Sequence, residues 1–330
     1  MASESIARKV LALLNEKSAT ARAIAKQSIL EKQMGIGKVD KAVEQYLSKW
    51  NDTTRPSVLA LAFEAVGGNQ EEVVPLQAAL LFIDATMDVH DDIIDESVTK
   101  KHRKTVYGKL GKEATLLVGD VFMVEGFNYL HKALGNLSKD LRLMVMDRIE
   151  DFLSEVVEAH ILESLLKAKK CRIRPEIYLQ ILTKKAADIE GHMKVGAIYG
   201  GGSAREIEAL SKYGRNIGVL LAVRTDFVDV FEPTELIHRL RYEVLPLPVL
   251  YALRNRKKGK RIREILKRDY LSKEDCNELI ELVYDTKEIT LLKRHLNNLK
   301  KEALLELRFL ANSQAKDALR LLAAFMMEDL

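Results

Sequence analysis

Leu80-Leu81-Phe82-Ile83-Asp84-Ala85-Thr86-Met87-Asp88-Val89-His90-Asp91-Asp92-Ile93-Ile94-Asp95 carries the most information in this sequence. Read as a helix, Asp84, Asp88, Asp91, Asp92 and Asp95 fall at i, i+4, i+7, i+8 and i+11, on one face. The other face is leucine, phenylalanine, isoleucine, methionine and valine. Like charges at this spacing cost about 0.2–0.5 kcal/mol per pair when exposed, and more when buried. Either the stripe is a solvated acidic face, or cations sit on it, and the rich apolar face opposite favours cations. Hard divalent ions such as Mg²⁺ take carboxylate oxygens together with substrate phosphates.

A second acidic pair lies in Val223-Arg224-Thr225-Asp226-Phe227-Val228-Asp229-Val230-Phe231, with Asp226 and Asp229 at i,i+3 on another apolar helix. Alone the pair is a weak signal. With the first stripe it predicts two carboxylate helices facing one another across a cavity, with metal ions between them holding an anion such as a diphosphate.

Outward from these segments, apolar residues keep the 3–4 residue rhythm of helices nearly throughout, and no stretch alternates convincingly as a strand. The 330 residues include only 6 prolines, and 76–174 and 249–330 contain none. Pro56 and Pro75 are read as first-turn prolines of two helices, and Gly67-Gly68 as the end of the first. Further helices are predicted over 113–134, 138–168, 175–199, 204–231, 246–254, 272–286, 287–311 and 313–328, with Ser272 and Ser313 as N-caps. Gly200-Gly201-Gly202 reads as a turn rather than a linker. The expectation is one all-α domain over 1–330, a bundle of ten or more helices around a central cavity.

The 52 basic and 48 acidic residues leave a formal charge of +4, and 47% of residues are hydrophobic. Such balance excludes a disordered chain, and the excess of base is too small and dispersed for nucleic acid. The dense basic stretch Arg254–Lys260 has no aromatic residue to stack a base and reads as a solvated loop and helix start. No window approaches the roughly 18 charge-free apolar residues of a spanning helix. Cys171 and Cys276 have no C-x-x-C spacing, so a cytoplasmic location is expected.

At this point the residues resemble a known family, the trans-isoprenyl diphosphate synthases (polyprenyl synthetases). His90-Asp91-Asp92-Ile93-Ile94-Asp95-Glu96-Ser97 is similar to that family's first aspartate-rich motif, D-D-x-x-D. Thr105-Val106, Gly119-Asp120, Leu245-Pro246 and Tyr251-Ala252-Leu253 also match, in order. The resemblance implies an all-α fold around a deep cavity, usually in a homodimer. It implies chemistry in which Mg²⁺ draws off the diphosphate of an allylic isoprenoid and isopentenyl diphosphate attacks the resulting cation. By the same resemblance Asp91 and Asp95 are metal ligands supported by Asp92, and Asp226 and Asp229 hold metal on the opposite wall. Lys184 matches the lysine that grips the allylic diphosphate. Lys100 and Lys101 stand where the family has two arginines, keeping charge without the bidentate fork. Met87 and Thr86 stand at the pocket floor that helps set product length, and His160 replaces a family glutamine.

The departures concern the second substrate. The usual G-G-K-R-x-R-P reads Trp50-Asn51-Asp52-Thr53-Thr54-Arg55-Pro56. Only Arg55 survives, with Asp52 in place of a lysine, and Asp84 stands in place of a histidine. Thr225 replaces the leading aspartate of the second motif, Ala222 an upstream glutamine, and the following loop is about seven residues short. Asp188, between Lys184 and His192 at intervals of four, is expected on one helix face with both. The expectation is a Mg²⁺-dependent prenyltransferase acting on an allylic diphosphate, with an altered acceptor site. Two alternatives are a modulatory subunit in a heteromer with a competent synthase, and a terpene-cyclase-like enzyme.

Overall fold

The computed structural model describes residues 5–100, 103–268 and 271–328. Ser5 accepts a hydrogen bond from the Arg8 N–H and opens α1 (Ile6–Glu31). There follow α2 (Gly37–Leu47), α3 (Thr54–Ala65), α4 (Gln70–Ile94), a short hairpin β1 (Thr99–Lys100) and β2 (Arg103–Lys104), α5 (Val106–Leu110) and α6 (Lys112–Ala133). The chain continues through α7 (Lys139–Leu166), α8 (Pro175–Lys185), α9 (Ala187–Tyr199) and α10 (Ala204–Phe231). It closes with α11 (Pro233–Tyr242), α12 (Leu247–Ala252), α13 (Lys258–Leu266), α14 (Lys273–Tyr284), α15 (Lys287–Glu306) and α16 (Gln314–Phe325). The fold is all-α, as the apolar rhythm predicts.

Several boundaries differ from the sequence reading for identifiable reasons. α4 begins at Gln70, because the Asn69 side chain accepts from the Glu71 N–H, and Pro75 lies inside the helix. The helix expected over 175–199 breaks at Ala186, so Lys184 and Asp188 sit on separate helices. α10 packs closely there: a Cβ on Gly218 would lie 2.8 Å from the Ala186 Cβ. The expected short loop after the second acidic pair is the ten-residue helix α11, with Pro233 in its first turn. The hairpin pairs Thr99 with Lys104 and Lys100 with Arg103, too short a run for period-two alternation to register. Ser272 forms a capping box with Asp275, and Ser313 accepts from the Lys316 N–H, as expected.

Two compact units make up the chain. The first comprises Met1–Arg148, His192–Ile207 and Leu310–Ala318. In it α4 is the central helix, packed on α6, α1 and α3. Leu81, Phe82 and Val89 of α4 share a buried cluster with Val118 and Phe122 of α6 and Ala25 and Ile29 of α1. Gly196 of α9 lets that helix close on α3, since a Cβ there would lie 2.3 Å from the Leu59 carbonyl oxygen. α4 is long and apolar enough to cross a membrane by composition, yet 72% of that apolar window is buried inside the fold.

The second unit comprises Ile149–Gly191, Glu208–Phe309 and Leu319–Leu330. Its short helix α12 packs on α8, α14 and α15. The Tyr213 hydroxyl, fully buried, donates to the Leu319 carbonyl at 2.7 Å.

Candidate active site

The first acidic stripe occupies the C-terminal half of α4. Asp84 and Asp92 are buried, while Asp88, Asp91 and Asp95 are half-buried. Asp95 ends the helix, its N–H bonded to the Asp91 carbonyl at 2.8 Å. Lys100, delivered by β1, places its Nζ 2.7 Å from Asp92 Oδ1. Burial pushes the Asp92 carboxyl upward, and Lys100 opposes that shift. Burial alone would lower Lys100, but Asp92 and Asp91 outweigh it and hold the ammonium above its ordinary range. Asp91, Asp92 and Asp95 offer only hard oxygens, the donor set of a Mg²⁺-class ion. Lys101 lies outside the described residues.

A cavity of about 550 Å³ opens beside Asp92, with Lys49, Lys100, Arg103, Lys104 and Lys109 in its lining and Asp92 as the one acid. This gathering of base comes mostly from one stretch of sequence, with Lys100, Arg103, Lys104 and Lys109 in the hairpin and α5, and Lys49 joins it from just after α2. Met87 is half-buried, and Thr86 is buried with its hydroxyl donating to the carbonyls of Phe82 at 3.1 Å and Gly119 at 3.0 Å.

Arg55, the surviving basic residue of the altered motif, faces three acids. Its Nη1 lies 2.8 Å from Asp52 Oδ2 and 3.7 Å from Asp88 Oδ1, and its Nε lies 3.8 Å from Asp84 Oδ1. On the far side of Asp84, fully buried His192 places Nε2 3.2 Å from Oδ2. Asp52 also accepts the N–H groups of Thr54 at 3.0 Å and Arg55 at 3.3 Å, satisfying two donors that the first turn of α3 leaves open. Burial, with Asp52 and Asp84 adding to it, pushes the Asp88 carboxyl up to about 7 against the pull of Arg55. A guanidinium so surrounded is a poor receptor for a diphosphate.

In the second unit Asp226 and Asp229 lie one turn apart on α10, and both are bound by Arg239 of α11. Arg239 Nη1 donates to Asp226 Oδ1 at 2.6 Å and to Asp229 Oδ2 at 2.7 Å, and Nη2 donates to the Tyr178 hydroxyl at 2.9 Å. The Tyr178 hydroxyl in turn donates a hydrogen bond to Glu163 Oε1 at 3.0 Å, and Glu163 also pairs with Lys185. The other Asp226 oxygen accepts the Leu247 N–H at 2.7 Å. Thr225 bonds back to the Leu221 carbonyl at 3.1 Å. Lys184, in the last turn of α8, reaches Glu158 of α7 at 2.8 Å, and His160 is half-buried three residues before Glu163. Arg239 went unnoticed in the sequence. Its one signal is the i,i+3 spacing with Leu236, which places the two buried side chains of α11 on one face.

A model of the polyprenyl synthetase family matches residues 37–283. Geranylgeranyl diphosphate synthase of Methanosarcina mazei is 31% identical over 188 residues, 57% of this chain and 57% of its own length. The short chain isoprenyl diphosphate synthase of Methanothermobacter thermautotrophicus is 30% identical over 59% of each chain. The match thus spans under three fifths of either relative. Among solved structures, geranylgeranyl pyrophosphate synthetase from Pyrococcus horikoshii superposes with a TM-score of 0.85 at 24% identity, covering 99% of this chain and 100% of that one. Polyprenyl synthetase from Streptomyces coelicolor gives 0.82 at 22% identity, covering 96% and 99%. The aspartate-rich end of α4 and the all-α frame around it are those of the polyprenyl synthetase family, to which this chain belongs.

Proposed function

We propose that the chain is a Mg²⁺-dependent prenyltransferase acting on an allylic isoprenoid diphosphate. The observation that carries this reading is the cluster Asp91, Asp92 and Asp95 at one helix end, with Lys100 beside it and a basic cavity adjoining, in a chain of this family. Asp91 and Asp95 are the proposed ion ligands, and magnesium bound there supplies Lewis-acid charge to the departing diphosphate. Lys100 orients Asp92 and, with the cavity's other bases, attracts the anionic substrate. Lys184 is proposed as a diphosphate contact, and Met87 and His160 as lining of the substrate's hydrocarbon path. A homodimer and a cytoplasmic setting belong to the same proposal. Incubation of the purified chain with Mg²⁺ and geranyl, farnesyl or geranylgeranyl diphosphate, with and without isopentenyl diphosphate, tests it by product mass. Elongated diphosphates that disappear in Asp91→Ala are expected; diphosphate release that survives Asp91→Ala would refute the ion assignment.

The three acids around Arg55 favour a second reading, in which isopentenyl diphosphate is not the acceptor. The chain would then act as a modulatory subunit beside a competent synthase, or as a cyclase-like enzyme. One of the relatives is named as the large subunit of a heterodimeric geranylgeranyl pyrophosphate synthase, from Arabidopsis thaliana, at 30% identity over 58% of this chain and 54% of its own length. Co-expression with a competent synthase that changes its product length would support the subunit. Hydrocarbons or alcohols made without acceptor would support the cyclase.

A further inference from the structure

We infer that the second acidic pair is a wall closed by its own cation: Arg239 occupies Asp226 and Asp229, so divalent ions load only at the Asp91–Asp95 end of α4. The inference rests on the proposed ion role of Asp91 and Asp95. Both oxygens of Asp226 are already taken, one by Arg239 and one by the Leu247 N–H, and its side chain is only 3% exposed. Asp229, at 19% exposure, gives an oxygen to the same guanidinium nitrogen.

A hard ion that used these carboxylates would have to displace Arg239 or share oxygens with it. Displacement strands a guanidinium that is only 7% exposed and that does not lose its proton in proteins. Sharing sets a divalent charge beside a buried positive one, where the low dielectric magnifies the repulsion. Arg239 is also held from its other side, by Tyr178 and through it Glu163, so it cannot swing away without breaking a buried chain of hydrogen bonds. Lys170 fastens the C-terminal end of α11 as well, its Nζ donating to the carbonyls of Leu240, Arg241 and Glu243 at 2.8, 3.0 and 3.2 Å. The carboxylates therefore serve to position α11 and the start of α12, and they do not coordinate a metal.

Manganese titration of the full chain, followed by electron paramagnetic resonance with methylenediphosphonate as a non-hydrolysable diphosphate, counts the bound ions. Asp229→Asn should leave the count unchanged, while Asp91→Asn with Asp95→Asn should abolish it. Arg239→Gln should add about one ion per chain by freeing the pair, and Arg239→Lys, which keeps the charge, should add none. Loss of an ion in Asp229→Asn overturns the inference, as does a folded Arg239→Gln that gains none. If Arg239→Gln fails to fold by circular dichroism, the Asp229→Asn count decides alone. Ion binding that persists in the Asp91→Asn, Asp95→Asn variant while the Asp229→Asn count stays unchanged would instead refute the proposed first-wall site and leave the closed second pair standing.

Discussion

Asp52 does two jobs that one substitution can separate. One oxygen holds the Thr54 and Arg55 N–H groups at 3.0 and 3.3 Å, and the other holds Arg55 Nη1 at 2.8 Å. Asparagine accepts N–H groups at a helix start as well as aspartate does but carries no charge. Asp52→Asn should therefore leave stability within about 0.5 kcal/mol of the parent, whereas Asp52→Ala should cost about 1 kcal/mol. For an anion arriving at Arg55, roughly 5 Å from position 52, the lost repulsion is about 0.8 kcal/mol per unit charge in water and about 3 kcal/mol at an effective dielectric of 20. Arg55 is 27% exposed and a diphosphate carries more than one charge, so the gain should lie toward the upper value. That corresponds to roughly tenfold to hundredfold tighter binding. Isothermal titration with inorganic pyrophosphate, without divalent ions, reads the affinity, and urea unfolding reads the stability. Affinity within twofold of the parent would refute the view that Asp52 disables Arg55. Equal destabilisation by asparagine and alanine would refute the helix-start role.

Asp88 binds its proton more tightly folded than unfolded, with its carboxyl up to about 7. Its contribution to stability is thus full at acid pH and is lost as pH rises from about 4 through about 7. Asp88→Asn should flatten that decline in urea midpoints between pH 5 and pH 8; an unchanged slope would show that other groups cause it. Arg239→Met leaves the buried Asp226 without its counter-charge and should cost about 3–5 kcal/mol in urea unfolding. Adding Asp226→Asn and Asp229→Asn to it should recover most of the loss, and a triple variant as weak as the single one would contradict the pairing. Gly196→Ala drives a methyl to 2.3 Å from the Leu59 carbonyl oxygen. It should lower the unfolding free energy by about 1–3 kcal/mol despite alanine's better helix propensity, and a neutral result in urea unfolding would show that α9 can retreat from α3.

The long helices were legible because their apolar period and punctuation act within one segment. α10 runs over 204–231 as read, set off by the Gly200–Gly202 turn. What the sequence could not reveal depends on partners distant along the chain. The break at Ala186 goes with the close approach of Gly218, and nothing within 175–199 announces it. Arg239 was hidden because its segment looked like a shortened loop, and its pairing with Asp226 and Asp229 needs the turn that brings α11 back along α10. The acids near Arg55 were visible as substitutions, but only packing shows that Asp52 and Asp84 lie on the guanidinium itself. Which face of α4 would be acidic followed from spacing alone. Which of its aspartates would be buried did not, because that depends on distant partners such as Arg55 and His192 at Asp84 and Lys100 at Asp92.

α4 is charged along its length in a lopsided way. Glu71 and Glu72 sit in its first turn, where the helix macrodipole welcomes acid. Asp91, Asp92 and Asp95 sit at the other end, with no basic residue of the helix in its last turn. There they add to a standing partial charge of about −0.5. The last turn is thus wound against its own field, and any cation that arrives stabilises the helix as well as itself. Under the proposed ion role of Asp91 and Asp95, ion binding and the integrity of this end become one equilibrium. At an ion concentration about a hundred times Kd the native state gains about 2.7 kcal/mol. With the ion role proposed for Asp91 and Asp95, the unfolding temperature should rise with the supply of divalent ion, which thermal melts across a Mg²⁺ series would read.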